Sequence, residues 1–127
     1  MIHGIGTDII SLERIEYALE AFGSKFVRRI LTDRERNYYI EINNPENKIA
    51  YLAKRFAAKE AVAKAVGTGI GEQLSFHDIE ITNADSGKPL VNLKKFESLI
   101  IHLSLSDEKE GFAVAFAVAE KLPLNQK

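Results

Sequence analysis

Cysteine is absent from this chain of 127 residues, and neither sign of charge is in clear excess. The lack of cysteine excludes a disulfide framework, a thiolate zinc site and a cysteine nucleophile together. Basic and acidic residues number 17 and 18, which leaves a net charge of −1. The overall charge therefore gives no indication of nucleic-acid binding, and any basic docking surface must be local.

Long apolar runs are also missing, so the sequence predicts no membrane span. The first residues, MIHGIGTDII, do not combine a basic leader with a long apolar stretch, which argues against secretion. Hydrophobic residues make up 46% of the chain and charged residues 28%, as in soluble globular proteins. We expect a single cytoplasmic domain over residues 1–127.

Helix and strand signals predict an α+β fold, with a small antiparallel sheet packed against a long helix and shorter helices. A β-branched strand ends near Asp8, and Ser11 then caps a helix that stops at Gly23. The pattern TDRE from Thr32 opens another helix, and the longest helix runs from Pro45 to Val66. Later strands are expected over 77–82, 90–93, 100–106 and 112–119, with a helical turn at 94–98.

The last strand alternates large apolar residues with alanines, so neither of its faces is polar. One side is expected to pack on the helices. The alanine side is predicted to meet another sheet, plausibly from a second copy of the chain, with a covering loop as the alternative.

Glu60 lies near the centre of an otherwise apolar stripe of the long helix. One interpretation is that its side chain bends outward or pairs with Lys64 one turn later. The other is that it meets Asp8, a second carboxylate at the end of a strand. Two hard-oxygen ligands with open positions suit Mg²⁺, which also recruits phosphate oxygens from a substrate.

Other candidate sites are weaker. The segment GTGIG follows a helix and lacks GK[ST], so we interpret it as a helix end, with amide contacts to a ligand as the alternative. His102, Ser104 and Ser106 share one strand face and cannot close a hydrolase triad with Asp107, so the serines are expected to face a polar cleft. His3 and His77 are interpreted as structural.

A group of basic residues lies early in the chain. It consists of Arg14, Lys25, Arg28 and Arg29. Such a group is either a solvated helix face or a docking patch for an acidic partner.

Three segments together resemble the holo-[acyl-carrier-protein] synthases, which are 4′-phosphopantetheinyl transferases. They are GIGTDI from Gly4, KRFAAKEAVAKAVGTGIG from Lys54 and GKP from Gly87, followed by HLSLSDEKEGFAVAFA. Their order and spacing hold over nearly the whole chain.

This resemblance implies transfer of phosphopantetheine from coenzyme A to a serine of apo acyl carrier protein, with release of adenosine 3′,5′-bisphosphate, in fatty acid biosynthesis. It implies that Asp8 and Glu60 bind Mg²⁺. As a hypothesis, Glu60 takes the serine proton, directly or through a water molecule, and Lys64 stabilises the departing group. Asp8, Glu60 and Lys64 are thus the candidate catalytic residues.

The same resemblance implies which residues contact the substrates. The coenzyme-binding positions are Arg55, Lys64, Gly67 and Pro89, and the basic group of Arg14, Lys25, Arg28 and Arg29 receives the carrier protein. It also implies a homotrimer with coenzyme bound between subunits.

Two features depart from the family pattern. Many relatives have histidine where this chain has Asp107, so no histidine role can be transferred to that position. The connection from Leu93 to Ile100 is also shorter than the usual helix. The alternative functions are a non-catalytic module that binds carrier proteins and a metal-dependent phosphoesterase.

Overall fold

A computed structural model describes residues 1–108 and 111–123 and has the predicted α+β architecture. In chain order, its elements are β1 (Ile2–Ser11), α1 (Leu12–Phe22), α2 (Ser24–Ile30), α3 (Asp33–Glu41), α4 (Pro45–Val66), a 3-10 turn (Phe76–Asp78), β2 (Ile79–Asn83), β3 (Pro89–Leu93), β4 (Leu99–Asp107) and β5 (Phe112–Lys121).

The strands form two antiparallel sheets. A three-stranded sheet has the order β1-β5-β4, and β2 and β3 form a separate hairpin. The long helix α4 packs on the three-stranded sheet. No helix in the described ranges is both long enough and apolar enough to cross a membrane.

The alanine face of β5 packs on α4 and not on a second sheet, so that prediction was wrong. The alanines at 113, 115, 117 and 119 are all fully buried. Helix α4 is itself rich in alanine, and small side chains on both surfaces allow the helix to lie close to the strand. The exposed apolar face of the sheet is instead the opposite one, which carries Phe112, Val114 and Phe116.

Strand β1 lies unusually close to α4 because two of its residues are glycines. A Cβ added at Gly4 would lie 2.2 Å from the carbonyl oxygen of Ala65, and one at Gly6 would lie 2.1 Å from that of Ala61. These contacts are with helix backbone, which cannot move aside as a flexible side chain would. The two glycines therefore set the separation between β1 and the helix that carries Glu60.

Local end signals correctly predicted most helix boundaries. The Ser11 side chain accepts a hydrogen bond from the backbone of Arg14, and Thr32 forms the expected capping box with Glu35. Pro45 occupies the first turn of α4, and Gly67 ends that helix in a left-handed conformation with φ of 106°.

Two local predictions were wrong. His77 lies in a 3-10 turn, which Ser75 and Asp78 stabilise through reciprocal side-chain and backbone hydrogen bonds. No helical turn forms over 94–98, because Phe96 has φ of 59° and the Leu99 amide bonds back to its carbonyl. This left-handed residue produces a tight turn into β4.

A buried ion pair joins several helices and β2. Lys59 is fully buried, and its Nζ donates to Glu35 Oε1 at 2.6 Å, to Ile30 O at 2.7 Å and to Phe76 O at 3.1 Å. The other carboxylate oxygen of Glu35 accepts from the Ile81 amide at 2.7 Å. Because the partners belong to α2, α3, the 3-10 turn and β2, this pair fixes those elements around α4.

Candidate active site

Asp8 and Glu60 come together where β1 crosses α4. Lys64 Nζ contacts Asp8 Oδ1 at 3.3 Å and the Thr7 carbonyl oxygen at 2.9 Å. Burial raises the pKa of the Glu60 carboxyl, the negative charge of Asp8 raises it further, and Lys64 lowers it. The sequence predicts that these two acids, which are far apart in the chain, lie close together in the fold. The effect of the Asp8 charge on the pKa of Glu60 agrees with that prediction.

The outward ion pair of Glu60 with Lys64 is not formed within the described ranges. Lys64 contacts Asp8 instead, and Glu60 remains half-buried. No group of three or more histidine, aspartate or glutamate side chains that could hold a metal ion occurs in residues 1–108 and 111–123. The two acids thus form a pair of hard-oxygen donors, and a cation there would need further ligands from water or substrate.

An apolar pocket opens beside Glu60. Its volume is ≈ 380 Å³, and its lining residues are Phe26, Arg29, Ile30, Phe56, Glu60, Ile70 and Phe76. Arg29 belongs to α2, so this pocket joins the basic helix to the half-buried carboxylate. A group that approaches Glu60 from α2 would cross an apolar surface.

The predicted basic residues are all exposed. Arg14 lies on α1, and Lys25, Arg28 and Arg29 lie on α2. The buried residues of α2 are Val27 and Ile30, which hold the helix against the core while its cations face solvent. This arrangement leaves the four cations available for docking.

Arg55 and Pro89 line a second, larger pocket of ≈ 640 Å³. The Arg55 guanidinium donates to Asn83 Oδ1 at 2.9 Å and lies 4.6 Å from the centre of the Tyr51 ring. Arg55 is only 5% exposed, and among the described residues its Nε has no hydrogen-bond partner. A buried donor without a partner is costly, so a water molecule or ligand group that reached this Nε would stabilise the pocket.

The coenzyme-binding positions implied by the resemblance fall into two groups. Arg55 and Pro89 line the larger pocket, whereas Lys64 lies beside Asp8 and Gly67 follows at the helix end. At about 100° per residue, Arg55 and Lys64 point to opposite sides of α4. A single chain therefore does not gather all four positions around one cavity.

Other candidate sites from the sequence have structural explanations. The amides of Gly67, Thr68 and Gly69 all donate to the Ala63 carbonyl, so the glycine segment is a helix end whose amides are already bonded. His3 and His77 contact the carbonyl oxygens of Val66 and Arg28, respectively.

The serines of β4 do not face a polar cleft. Ser104 and Ser106 are exposed on the outer face of the sheet, opposite Phe116 and Val114 of β5. His102 contacts Glu120 at 2.9 Å, and Asp107 pairs with Lys54. These contacts agree with the rejection of a hydrolase triad.

Sequence reasoning did not assign roles to Lys54, Asn83 or Glu35. Lys54 directly precedes Arg55 in the segment KRFAAKEAVAKAVGTGIG, and this position could have identified it. The sequence around Asn83 predicted a turn and nothing more, and Glu35 was predicted only to cap the start of a helix. Their contacts with Arg55 and Lys59 join residues far apart in the chain, which local patterns do not reveal.

Known proteins share this fold and much of this sequence. The chain is similar to the holo-[acyl-carrier-protein] synthase of Geobacillus sp. (strain WCH70), with 48% identity over 122 residues, which cover 96% of this chain and 99% of the relative. It is also similar to the crystal structure of a holo-(acyl-carrier-protein) synthase from Bacillus anthracis str. Ames in complex with CoA (3′,5′-ADP). That comparison has a TM-score of 0.87 and 49% identity, and covers 96% and 99% of the two chains.

A second structure is the Helicobacter pylori holo-[acyl-carrier-protein] synthase in complex with coenzyme A. Its TM-score is 0.80, with 36% identity and coverage of 91% of this chain and 99% of that one. The family model described as the 4′-phosphopantetheinyl transferase superfamily matches residues 4–117. The chain therefore belongs to the 4′-phosphopantetheinyl transferase superfamily.

Proposed function

We propose that the chain is a holo-[acyl-carrier-protein] synthase. It transfers the 4′-phosphopantetheine group of coenzyme A to a serine of apo acyl carrier protein and releases adenosine 3′,5′-bisphosphate. Full-length similarity to synthases of that name supports this reaction, as do the related structures that contain coenzyme A. The observation that carries the proposal is the meeting of Asp8, Glu60 and Lys64 between β1 and α4.

The acid pair fits Mg²⁺. Burial and the charge of Asp8 both disfavour the ionised form of Glu60, so a cation between the two carboxylates would offset their repulsion. Asp8 and Glu60 would hold the ion, which when bound offsets negative charge on the pyrophosphate of coenzyme A.

Side chains of this protein would accept the serine proton and stabilise the leaving group. The serine oxygen forms a bond to the phosphorus that bears pantetheine, and the bond from that phosphorus to the bridging oxygen breaks. Glu60 accepts the serine proton, directly or through a water molecule. Lys64, held beside Asp8, stabilises the charge on the departing adenosine bisphosphate.

The active assembly in this proposal is a homotrimer with each site between two subunits. Asp8, Glu60 and Lys64 of one subunit face the pyrophosphate, together with Gly67 at the helix end. Arg55 and Pro89 of the neighbouring subunit contact the nucleotide. The placement of these two groups on opposite sides of α4 supports the division, because one coenzyme molecule cannot readily reach both within one chain.

The carrier protein approaches over α1 and α2. Arg14, Lys25, Arg28 and Arg29 supply positive charge to an acidic partner, and the apolar pocket beside Arg29 leads to Glu60. We place the reaction in the cytoplasm and in fatty acid biosynthesis, because the family resemblance implies that pathway.

Intact mass spectrometry of the carrier tests the reaction. After incubation with the chain, coenzyme A and Mg²⁺, an apo carrier should gain the mass of one phosphopantetheine group. Complex formation without a mass gain would favour a binding module, and release of product from coenzyme A without carrier would favour a phosphoesterase.

Glu60→Gln tests the assigned base. The variant should lose at least about 100-fold in kcat at saturating Mg²⁺ while its circular dichroism spectrum is unchanged. Glu72→Gln, which removes an exposed carboxylate from a loop, serves as the control and should keep normal activity. Near-normal turnover by Glu60→Gln would refute the role of Glu60.

A further inference from the structure

We propose that Lys59 is a positioning residue that holds helix α2 beside Glu60 and thereby governs recognition of the carrier protein. The inference rests on the proposed function, in which the carrier approaches over α2, and deepens it by assigning a role to a residue outside the candidate site. Lys59 is fully buried, so it cannot contact a substrate. It must act through the elements that it holds.

The Lys59 ammonium is saturated with hydrogen bonds inside the fold. Its Nζ donates to Glu35 Oε1 at 2.6 Å, to Ile30 O at 2.7 Å and to Phe76 O at 3.1 Å. An ammonium group has three donor hydrogens, so these bonds use all of them. One side chain of α4 therefore binds α2, α3 and the 3-10 turn at the same time.

Two of the three acceptors belong to the wall of the apolar pocket beside Glu60. Ile30 and Phe76 both line that pocket together with Glu60. Lys59 directly precedes Glu60 on α4, so the two side chains leave the helix about 100° apart. The bonds of Lys59 therefore attach these two parts of the wall to the helix position next to the carboxylate, and the separation of α2 from Glu60 depends on them.

Helix α2 needs contacts of this kind. It is only seven residues long, and helices of that length are not stable without tertiary contacts. The last carbonyl groups of a helix have no partner within it, and here Ile30 O accepts from Lys59 while Arg28 O contacts His77 Nε2. A cation at this end also interacts favourably with the helix dipole. The direction in which α2 presents its cations thus depends on Lys59.

The contacts that hold β2 do not pass through Lys59. Glu35 Oε2 accepts from the Ile81 amide at 2.7 Å, and Glu35 Oε1 accepts from the Thr32 amide at 2.9 Å. These bonds need an oxygen acceptor at position 35 but no ammonium group. Loss of the ammonium should therefore displace α2 more than β2, and its effect should fall on the carrier protein more than on coenzyme A.

Steady-state kinetics with the two substrates provide the test. Lys59→Met alone would leave the Glu35 charge buried without a partner and endanger folding, so it is combined with Glu35→Gln, which removes that charge and keeps an oxygen acceptor. In this double variant the KM for the carrier should rise about tenfold, because α2 is no longer fixed beside Glu60. The KM for coenzyme A should change less than about twofold.

Leu52→Ala is the matched control for a general loss of stability. Leu52 is also fully buried on α4, but it does not line the pocket beside Glu60. The variant should lower the Tm, because it leaves a cavity in the core, and should keep the parent KM for both substrates at temperatures where it is folded. An equal rise in both KM values in the double variant, or an unchanged KM for the carrier, would overturn the positioning role.

Chemical rescue tests whether the ammonium group itself is needed. The chain has no cysteine, so Lys59→Cys supplies a single thiol. Reaction of the unfolded variant with 2-bromoethylamine, followed by refolding, places an ammonium at nearly the length of lysine. The KM for the carrier should return to within about twofold of that of parent refolded in the same way. Refolded material whose KM for the carrier stays as high as in the double variant would contradict a role for the ammonium.

Binding measurements separate this inference from the proposed reaction. Calorimetric titration with an apo carrier whose acceptor serine is replaced by alanine requires no turnover. The double variant should bind this carrier about tenfold more weakly than the parent, and coenzyme A within about twofold of the parent. If the parent transfers nothing yet the variant loses affinity for the carrier, the reaction is refuted and the positioning role stands. If the parent is active and the variant binds the carrier as tightly as the parent, only the positioning role is refuted.

Discussion

At the scale of single residues, the main feature is a carboxylate held where its charge is disfavoured. Glu60 is half-buried and near Asp8, and both circumstances raise the pKa of its carboxyl above the ordinary value of 4.5. Groups whose charged form is disfavoured in this way are concentrated at functional sites, which supports the proposed role of Glu60. The position of Glu60 on an apolar stripe already predicted this conflict.

The pH dependence of stability follows from that shift. Because the pKa of Glu60 is higher in the folded chain than in the unfolded chain, the folded state binds more protons between those two values. The stability that protonated Glu60 contributes is therefore present at low pH and is lost as the pH rises through the folded pKa. Without divalent ions, Glu60→Gln should melt about 2 °C higher than the parent at pH 7.5.

Thermal denaturation in EDTA measures the difference. The gap in Tm should close toward pH 4.5, where the Glu60 side chain of the parent becomes protonated. Adding Mg²⁺ should raise the Tm of the parent more than that of the variant, because the proposed ion site exists only in the folded chain with both acids present. A parent that is as stable as Glu60→Gln at pH 7.5 would contradict this account.

The candidate site residues were predictable from the sequence to the extent that they break a local pattern. Glu60 interrupts an apolar stripe, and Asp8 ends a strand, so both stood out. Lys54 and Asp107 look like ordinary surface charges in their own segments. Their pairing depends on how α4 crosses the end of β4, which is a tertiary contact.

At the scale of elements, the site depends on the close packing of β1 against α4. Gly4 and Gly6 allow the strand to approach the helix backbone, and Asp8 follows on the same strand. The distance between the two acids is therefore set by backbone contact more than by side-chain packing.

Gly6→Ala should disrupt this contact. Its Cβ would lie 2.1 Å from the Ala61 carbonyl oxygen and 2.8 Å from the Ala65 nitrogen, so strand and helix must separate. We expect a loss of about 3 kcal/mol in the free energy of unfolding and a fall in transfer activity. Urea denaturation and the carrier mass assay measure the two effects.

Gly71→Ala is the control, because a Cβ added there meets nothing within 4 Å. It should change the free energy of unfolding by less than about 1 kcal/mol. Equal stability of the two variants would show that close approach at Gly6 is not what holds β1 in place.

The sequence predicted where the helices and strands begin and end better than it predicted which of them pack together. Helix α4 begins and ends as predicted because Asn44, Pro45 and Gly67 act through their own local geometry. The alternation of β5 correctly indicated two apolar faces, but it could not reveal which face meets α4. The alanine face packs on the helix because small side chains suit close approach, a criterion that periodicity alone does not contain.

At the scale of the whole molecule, one face of the three-stranded sheet remains apolar and uncovered. Its exposed residues include Ile5, Ile9, Phe112, Val114 and Phe116, with exposures between 41% and 62%. Paired residues of neighbouring strands place these side chains on one surface. Apolar surfaces of this kind commonly mark protein interfaces, which supports the proposed homotrimer.

Phe116→Asp should dissociate that assembly. A charge at the centre of the face would have to be buried without a partner, so the variant should sediment as a monomer and lose transfer activity while it remains folded. Ile40→Asp places the same charge at an exposed apolar site on α3 and should leave assembly intact. Sedimentation velocity measures the assembly state of both variants. An unchanged assembly in Phe116→Asp would count against this interface.

Mixed assemblies test whether a site draws on two subunits. Arg55→Ala and Glu60→Gln should each be inactive alone. If subunits exchange freely in an equal mixture, about a quarter of the interfaces pair an intact Glu60 with an intact Arg55, and about that fraction of parent activity should return. No recovery after refolding the two chains together would indicate that one chain supplies both residues.

The pairing of β1 with β5 joins two segments that are far apart in the sequence, since Ile2 lies opposite Glu120. Within residues 1–108 and 111–123, strand β1 is at the edge of its sheet and has β5 as its one strand neighbour. During synthesis, β5 must therefore leave the ribosome before the strand that carries Asp8 can take its place in the sheet. A nascent chain truncated before β5 would leave β1 without its strand partner, so the two acids can be held together only after β5 has been made.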